Sequence, residues 1–568
     1  MYNSKMHHDL PLRNKIIIMV SVMGSLFLVA LDQTIVATSL SKIVQEFNSF
    51  SSLSWVVTAY LMTSTITVPI AGKLSDMYGR RRILLIGVAI FTASSLFAGL
   101  SSSMFDLILW RAIQGLGGGI ITANAFTIIG DLFAARERGR WQGIFGAVFG
   151  LSSIVGPLLG GYLADTHSIL GLLETSWRWN FWVNVPIAIV AFILIASYCP
   201  QLKHEKKPVI DYMGVAILAS ALALLILGID NTEKIFLGVL ESTGISLIVL
   251  RALIFIVVGI LLYAFIKVEK RAIEPIIDFA FFKNKNFILI STVTLAHGAA
   301  FLGAILYLTQ FNQQVFGATA TQSGLMLLPM VLGLMISSIS TGLFIAKKGK
   351  YKNLIVTGFF GMTVMVALLT TLNSSSNYSQ EAFLMFALGL FTGIALPTLT
   401  IAVQAEFDQK KLGLATGLNQ LARSLGSTVG TAIFGSILTL GVATSLGDMK
   451  NDNYIKNITK SPEASNFITS TSDPDVLLRL NSPEVKNSIN SGFENNLQRL
   501  PEANRAYVQR EFESAQKAYS SKIVDAFSES IRKIFVSASI VIAVAALMTV
   551  FIKERKLDKA KITESPGL

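Results

Sequence analysis

The segment 72–82, GKLSDMYGRRR, lies between two apolar runs, residues 53–73 and 83–100. Each run has the length of roughly 17–25 residues that an α-helix needs to cross a hydrocarbon core about 30 Å thick. The segment is therefore predicted to be a short charged turn between two transmembrane helices. A weakened copy, GLFIAKKGKYK, stands at 342–352 between two further apolar runs. The recurrence indicates a helical membrane protein with two related halves.

Working outward from this segment, the chain contains fourteen apolar stretches of suitable length. Lipid offers no partners to backbone polar groups, so such stretches form helices rather than open strands. The predicted fold class is all-α, a polytopic membrane protein with 14 transmembrane helices. The predicted spans are 15–37, 53–73, 83–100, 104–130, 141–164, 180–198, 211–229, 249–267, 287–311, 322–346, 353–372, 381–405, 412–441 and 534–552.

Composition agrees with this prediction and excludes several classes of protein. Hydrophobic residues make up 52% of the 568 residues and charged residues 14%, whereas an average soluble chain has about 25% charged residues. The single cysteine, Cys199, excludes a disulfide framework, and the five histidines show no metal-ligand spacing. A GxxxxGK[ST] phosphate loop, which a primary pump needs, does not occur in the sequence. We expect a protein that is not an enzyme and has no cofactor or metal.

The net charge of +12 is distributed as expected for a membrane protein, so no nucleic-acid partner is expected. Positive residues are retained on the cytoplasmic side of short loops. Placing the N-terminus inside puts most Lys and Arg of the short connections on that side, without an inversion along the chain. We expect both termini in the cytoplasm and the protein in the cytoplasmic (inner) membrane, as a monomer.

Glycines reveal an internal repeat. Their positions in 139–161 recur 274 residues later in 413–435. Parallel repeats are typical of transporters whose halves are related by a pseudo-two-fold axis along the membrane normal. We predict six-helix bundles at 1–200 and 286–568, with two additional helices at 201–285. The four pairs are Gly139 and Gly413, Gly143 and Gly417, Gly156 and Gly430, and Gly161 and Gly435.

Several motifs together resemble one known family. GKLSDMYGRRR is similar to the cytoplasmic loop motif of the major facilitator superfamily, and LILWRAIQGLGGG at 107–119 resembles its fourth-helix motif. GLSSIVGPLLGG at 150–161 resembles the antiporter motif of the fifth helix. LDQTIVATSL at 31–40 and WRWNFWVNVP at 177–186 resemble the branch of fourteen-span drug:proton antiporters. The resemblance implies a multidrug exporter of quaternary-ammonium type, driven by protons.

Asp32 is the leading candidate for proton coupling. It falls deep in the first predicted span, where a carboxylate costs several kcal/mol unless it is paired, protonated or wet. Burial favours the proton and a nearby cation disfavours it, so proton affinity can change during a transport cycle. Arg111, with Gln114 one turn on, needs acceptors, either Asp32 itself or a carbonyl of the first helix. The alternatives are an Asp32 that only orients its helix and an Arg111 that is purely structural.

Two glycine-containing motifs are candidates for conformational control. In the antiporter motif, Gly150, Gly156, Pro157, Gly160 and Gly161 permit a bend or close helix approach, although plain packing is the simpler interpretation. The resemblance implies that the motif shapes the antiport cycle. In the loop motif, a carboxylate can sit at a helix N-terminus and pair with arginine; the alternative is positive-inside anchoring. Its candidate gating residues are Gly72, Asp76, Gly79, Arg80 and Arg81.

Signals in the second half are weaker. His297 is interpreted as a neutral, hydrogen-bonded side chain, with a proton relay as the alternative. Glu406 and Asp408 are interpreted as solvated charges, with a secondary proton site as the alternative. Arg423 matches an arginine of the resembled branch, without a readable partner. The polar stretch 442–533 is interpreted as a solvated extracellular loop, with a lid or docking element as the alternative. Its latter part, from Pro501 to Ile534, has the spacing of an amphipathic helix that leads into the last span.

Three function classes remain after this reasoning. A proton-coupled exporter of hydrophobic, cationic compounds is favoured by the carboxylate, the arginine and the Gly-Pro motif together. A cavity with one carboxylate and aromatic walls recognises delocalised cations with loose geometry. The second class is an exporter or importer of a specific metabolite, such as a siderophore or a tetracycline-like compound. An enzyme is disfavoured because no acid/base or metal constellation is clustered.

Overall fold

The computed structural model describes residues 10–47, 53–164, 168–169, 173–200, 210–229, 232–408, 411–459, 471–498 and 501–557. Within these residues, 14 helices are long and apolar enough to cross a membrane, so the predicted all-α fold with fourteen spans is confirmed. The helices that form spans 1 to 14 are Leu12–Phe47, Leu53–Tyr78, Arg80–Gly99, Met104–Leu132, Arg138–Ala164, Trp179–Trp182 with Asn184–Tyr198, Tyr212–Ile229, Leu247–Glu269, Lys285–Gln314, Ala320–Met326 with Leu328–Lys348, Lys352–Leu369, Tyr378–Gln404, Leu412–Leu446 and Glu502–Val550.

The remaining elements are short and lie between spans. Strands β1 (Ser168–Ile169) and β2 (Leu173–Glu174) form a two-residue antiparallel pair between spans 5 and 6. The predicted orientation is used below to name the two ends of the bundle. The short helices are Thr232–Ile235, Leu237–Thr243, the 3₁₀ turn Phe279–Lys283, Asn453–Thr459, Pro474–Leu480 and Pro483–Leu497.

The first two pairs of repeated glycines lie where helices of the two halves touch. A Cβ added to Gly139 would crowd the carbonyl oxygen of Gly342, which places span 5 directly against span 10. A Cβ added to Gly413 would crowd the carbonyl oxygen of Gly72, which places span 13 against span 2 in the same way. The contact of span 5 with span 10 therefore corresponds to the contact of span 13 with span 2 when the two halves are exchanged. The predicted domain boundaries themselves stay a prediction.

Spans 7 and 8 are additional to this arrangement. They pack against each other, and span 7 also contacts spans 2 and 13. Span 8 has a largely exposed apolar surface, including Ile248, Ile260 and Tyr263. Such a surface on a helix of this hydropathy is suited to lipid. The pair lies between the halves in sequence but at the periphery of the bundle in space.

The interpretation of residues 442–533 as a solvated loop is wrong for the part that the structure describes. Three short helices and the outer end of span 14 enclose an apolar core that contains Tyr454, Leu477, Phe512, Tyr519 and Ile523. The predicted amphipathic helix is confirmed, because it continues without a break into span 14. The buried aromatic side chains of this helix, Phe512 and Tyr519, pack against the short helices. The three short helices and the outer end of span 14 therefore form a small folded unit, here called the outer unit.

The outer unit is attached to the C-terminal half. The Gln314 side chain, at the outer end of span 9, donates to the Leu478 carbonyl oxygen at 3.2 Å. The Asn481 amide donates to the Gln314 side-chain oxygen at 3.0 Å. These bonds fix the outer unit above span 9. The possible role as a lid or docking element stays a prediction.

Candidate functional site

A buried polar network surrounds Asp32 in span 1. Its side chain is completely enclosed, and one oxygen, Oδ2, lies 2.5 Å from Nη1 of Arg111 in span 4. The other oxygen, Oδ1, accepts from Nε2 of Gln114 at 2.9 Å and from Nδ2 of Asn184 at 3.2 Å. The structure places the predicted coupling residues Asp32, Arg111 and Gln114 together, and their role in coupling stays a prediction. Three donors satisfy the buried carboxylate.

Arg111 is satisfied by further contacts. Its Nη1 donates to Gln114 Oε1 at 2.7 Å, and its Nε donates to the Val56 carbonyl oxygen at 3.2 Å. Of the two alternative acceptors, Asp32 is confirmed, whereas the carbonyl that accepts belongs to span 2 and not to the first helix. The guanidinium carbon lies 4.2 Å from the Tyr60 ring centroid and 5.8 Å from that of Phe181. Aromatic faces at this distance stabilise a cation.

Asn184 is the member of the network that sequence reasoning missed. It starts the second helix of span 6, within the quoted motif WRWNFWVNVP, and its amide also donates to Ser95 Oγ at 3.2 Å. Ser95 in turn accepts from Gln114 at 3.2 Å. An asparagine inside an apolar run was the available signal, since buried amides require partners. The network therefore joins spans 1, 3, 4 and 6 of the N-terminal half.

The loop motif makes a charged contact between the halves. Asp76, in the last turn of span 2, accepts from the backbone amides of Gly413 at 3.2 Å and Leu414 at 3.0 Å. These amides belong to the first turn of span 13, where free N–H groups and the helix dipole favour a carboxylate. The predicted placement of this carboxylate at a helix N-terminus is confirmed. Its gating role stays a prediction.

The turn itself is tighter than predicted. Gly79 alone separates the two helices, with φ of 94°, a backbone conformation that favours glycine. Arg80 pairs with Asp76, and its Nε also donates to Asp131 at the end of span 4 at 2.8 Å. Sequence reasoning missed Asp131 because a charged residue at the end of a predicted helix is normally expected to be in contact with water. Arg81 donates to the Ala196 carbonyl oxygen, so it links span 3 to span 6 and does more than mark the membrane surface.

The halves are closed together at the cytoplasmic end. Gly72 lies against the Gly413 backbone so closely that a Cβ would collide. Gln404 at the end of span 12 donates to the Phe126 carbonyl oxygen of span 4 at 3.1 Å. It also donates to Thr416 of span 13 at 3.3 Å. A substrate on the cytoplasmic side would have to separate the contacts of Gly72 with Gly413 and of Gln404 with Phe126, which join the two halves.

The antiporter motif in span 5 contacts helices on both sides. A Cβ on Gly156 would collide with Thr34 of span 1, and the Thr34 hydroxyl donates to the span 5 backbone at Ser152 at 3.1 Å. Pro157 lies inside an otherwise continuous helix. The other motif positions face further neighbours. A Cβ on Gly150 would crowd Val331 and Met335 of span 10, and a Cβ on Gly161 would lie 3.2 Å from Thr321. The Gly160 carbonyl oxygen accepts a hydrogen bond from Asn180 at 3.4 Å. Close approach is confirmed, and the role in the antiport cycle stays a prediction.

Two weaker candidates in the C-terminal half lie near each other. His297 of span 9 is fully enclosed, and among the described residues neither ring nitrogen has a hydrogen-bond partner of ordinary geometry, although the Thr392 backbone of span 12 lies within reach of the ring. Its interpretation as a neutral, hydrogen-bonded histidine stays a prediction. The adjacent Gly298 packs against the backbone of Arg423 in span 13. Nε and Nη2 of Arg423 are buried and likewise lack partners within the described part of the chain.

Glu406 and Asp408 differ from each other. Glu406 lies in a cytoplasmic network, where it accepts from Asn284 at 2.9 Å and Asn286 at 2.6 Å and pairs with Arg555 at 3.1 Å. The interpretation as a solvated charge is wrong for Glu406 because these groups enclose its carboxylate. Burial alone would raise the pKa of Glu406, but the hydrogen bonds and Arg555 outweigh burial and hold the pKa below its usual value. Asp408 is exposed, as predicted.

A metal centre is not indicated. Among the residues that the structure describes, no group of three or more His, Cys, Asp or Glu is placed to hold a metal ion. The network around Asp32 is instead made of one carboxylate, one guanidinium and two amides. Groups of these types can hold a proton or a cation.

Comparison with known proteins agrees with this geometry. Residues 22–431 match the Major Facilitator Superfamily. The chain belongs to this superfamily. The Bacillus subtilis "Multidrug transporter protein MdtP" is 33% identical over 545 residues, covering 94% of this chain and 93% of that protein. "Multidrug resistance protein 3" of the same organism is 33% identical over 537 residues, covering 94% of each.

Solved structures support the same fold. The proton:xylose symporter XylE aligns with a TM-score of 0.57 at 13% identity, over 95% of this chain and 97% of that one. The human organic anion transporter MFSD10 aligns with a TM-score of 0.56 at 15% identity, over 75% of this chain and 94% of that one. Identities this low establish the transporter fold alone. The multi-pass membrane architecture of this superfamily member rests on that fold and its fourteen spans.

Proposed function

We propose that this major facilitator protein is a proton-coupled antiporter that exports hydrophobic, cationic drugs or toxic compounds across the cytoplasmic membrane. The observation that carries the proposal is the enclosed Asp32, which pairs with Arg111 and accepts from two amides. Relatives named as multidrug transporters align over 94% of the chain, which favours drug export over transport of one metabolite.

The pairing explains how a proton and a substrate compete. While Arg111 lies beside Asp32, the carboxylate is neutralised and needs no proton. A conformational change that withdraws the guanidinium would leave an unpaired buried charge. Breaking such a pair costs about 3–5 kcal/mol, unless a proton or a substrate cation takes the place of Arg111. Only one of these two can neutralise Asp32 at a time, and this exclusion couples their movements.

The surroundings of Arg111 favour a cationic substrate. Tyr60 and Phe181 present their rings to the guanidinium, and both side chains are buried. Rings that stabilise a guanidinium also stabilise a quaternary ammonium or a delocalised dye cation. A substrate cation that replaces Arg111 would therefore find the same aromatic faces and the same carboxylate.

The test is Asp32→Asn in inverted membrane vesicles, with ethidium and the divalent biguanide chlorhexidine as substrates. We expect normal protein abundance but loss of substrate-induced proton movement, with the divalent compound affected more strongly. Asp32→Glu should keep part of the activity because it keeps the charge. Glu511→Gln, an exposed acid of the outer unit, is the control and should behave as wild type. Wild-type proton exchange by Asp32→Asn would disprove the carrier role.

Substrate range and topology have separate tests. Cells with and without the gene should differ in susceptibility to dyes, quaternary ammoniums and biguanides; a difference confined to tetracyclines or siderophores would favour the narrower alternative. We further propose a monomer in the cytoplasmic membrane with both termini inside. A cysteine at the exposed position 375 should react with an impermeant reagent on intact cells, and one at 350 should not. Reaction at 350 would contradict the orientation.

A further inference from the structure

Glu381 is a buried acid that the Asp32 mechanism does not use. It lies in the first turn of span 12, near the extracellular end, and its side chain has no exposed surface. Among the described residues, no hydrogen bond or salt bridge reaches either carboxyl oxygen. Asp32, at the same zero exposure, has three donors. The two enclosed acids therefore differ in their partners and in the charge that they can carry.

The described helices around Glu381 form no ion pair with it. Span 12 packs against spans 5, 9, 10, 11 and 13, and the outer halves of spans 10 and 11 contain no Asp, Glu, Lys, Arg or His. On span 12 itself the neighbouring titratable group is Tyr378, whose hydroxyl donates elsewhere, to the Met326 carbonyl oxygen at 3.1 Å. The titratable groups of the other neighbours between mid-membrane and the outer end are Tyr162, His297, Tyr307 and Arg423.

Magnitudes decide the protonation state. A helix N-terminus favours a carboxylate only modestly, whereas an unpaired charge inside a membrane protein is strongly unfavourable. An unpartnered neutral carboxyl group is penalised much less. The penalty on the charged form exceeds the help from the helix end. The enclosure of Glu381 without a partner therefore favours its protonated form.

The position of Glu381 links it to the antiporter motif. Span 10 is interrupted after Met326, and the first piece, Ala320–Met326, lies between two partners. On one side, a Cβ on Gly324 would lie 3.2 Å from the Pro157 ring of span 5. On the other side, Tyr378 holds the Met326 carbonyl, one turn before Glu381 along span 12. A movement of span 5 relative to the C-terminal half would therefore act, through Ala320–Met326 and Tyr378, on the turn of span 12 that carries Glu381.

We propose that Glu381 is a second proton-binding site, which keeps its proton while it stays enclosed and releases the proton when a movement of the Ala320–Met326 piece, held to Tyr378, opens the outer end of span 12 to water. The site deepens the proposed proton coupling and rests on it for its role in transport. It places a carrier in each half: Asp32 binds a proton when it loses Arg111, and Glu381 loses a proton when it gains water.

Infrared spectroscopy tests the protonation without any transport assay. The difference spectrum of purified wild type minus Glu381→Gln, in lipid at pH 7, should show a carboxylic acid carbonyl band that shifts in D₂O. Glu406→Gln is the matched control, because its carboxylate is paired with Arg555 and should contribute carboxylate bands. Carboxylate bands from Glu381 instead would overturn the proposal.

A second measurement needs no variant. A hydrophobic carbodiimide reacts with protonated carboxyl groups in apolar surroundings, so mass spectrometry of the wild-type protein should find Glu381 modified and Glu406 unmodified. For coupling, ethidium is added to solubilised protein in weak buffer. Wild type should release protons, and Glu381→Gln should release fewer; equal release would refute the coupling role. If wild type itself released none, the proposed proton coupling would fail, while the infrared result would still decide the state of Glu381.

Discussion

Asp76→Asn is expected to loosen the cytoplasmic closure. The carboxylate accepts from two span 13 amides, at 3.2 and 3.0 Å, and pairs with Arg80 in its own half. Asparagine retains one acceptor oxygen and loses the charge. The substitution therefore removes one charge-assisted bond to span 13 and the attraction between the carboxylate and the helix end. Arg80 keeps its bond to Asp131, so the turn within the half is preserved.

The expected magnitude follows from these contacts. A hydrogen bond to a charged group contributes about 1.5–3 kcal/mol, and a carboxylate at a partly buried helix N-terminus about 0.3–2 kcal/mol. The two estimates overlap because they describe the same charge, so a loss of about 2 kcal/mol is expected. Since 1.4 kcal/mol corresponds to a tenfold change, the open fraction at the cytoplasmic end should rise about 30-fold.

Thiol labelling measures this fraction. Thr416→Cys is suitable, because Thr416 is fully enclosed between the halves and bonded to Gln404; the native Cys199 is replaced by serine. In inverted vesicles, Asp76→Asn should accelerate maleimide labelling at position 416 about 30-fold. Asp131→Asn, which removes a charge from Arg80 without touching span 13, should have a much smaller effect. Equal acceleration by both variants, or less than a twofold change with Asp76→Asn, would refute the reasoning.

Three further predictions use other contacts. Gly143→Ala would push a methyl group into the span 10 backbone and should abolish transport, although the protein still inserts into the membrane. The control Gly24→Ala, with nothing within 4 Å of the added carbon, should transport normally and gain at most about 1 kcal/mol of stability. Glu406 has a pKa below its usual value. Its contact with the C-terminal tail is therefore complete above about pH 4.3 and is lost as the pH falls through the folded-state pKa. A spin label at Lys556 should become mobile only at such low pH in wild type, and already at pH 7 in Glu406→Gln. Ile523→Ala, in the core of the outer unit, should cost about 3 kcal/mol, seen as faster proteolysis of that unit with an unchanged melting temperature of the helical bundle.

Sequence predicted the features that depend on membrane physics. Fourteen spans follow from run lengths, and the carboxylate at position 32 had to find a cation because an unpaired charge in lipid is costly. Arg111 was the available partner, and the 2.5 Å contact agrees with that reasoning. The glycine repeat was used to predict two related halves; the close contacts between halves at Gly139, Gly143, Gly413 and Gly417 came from the structure, and they fit the rule that small residues permit backbones to approach.

Sequence could not predict features that depend on which helices meet. The carbonyl that accepts from Arg111 comes from span 2, and no local pattern distinguishes it from one on span 1. Glu381 stands at the edge of an apolar run, where an acid normally caps a helix in water; only the tertiary packing encloses it. The outer unit has a polar composition, and its core becomes visible only when its helices meet span 14.

The last helix joins the membrane bundle to the outer unit as one continuous helix. Its 49 residues extend about 74 Å at 1.5 Å per residue, of which a hydrocarbon core takes about 30 Å. About 40 Å of this helix therefore projects beyond the hydrocarbon core. A tilt of about 10° in the membrane would displace the far tip by about 7 Å over that length. A small tilt of the C-terminal half would thus be amplified at the tip of this helix, where a fluorophore pair or a bound antibody fragment could report it.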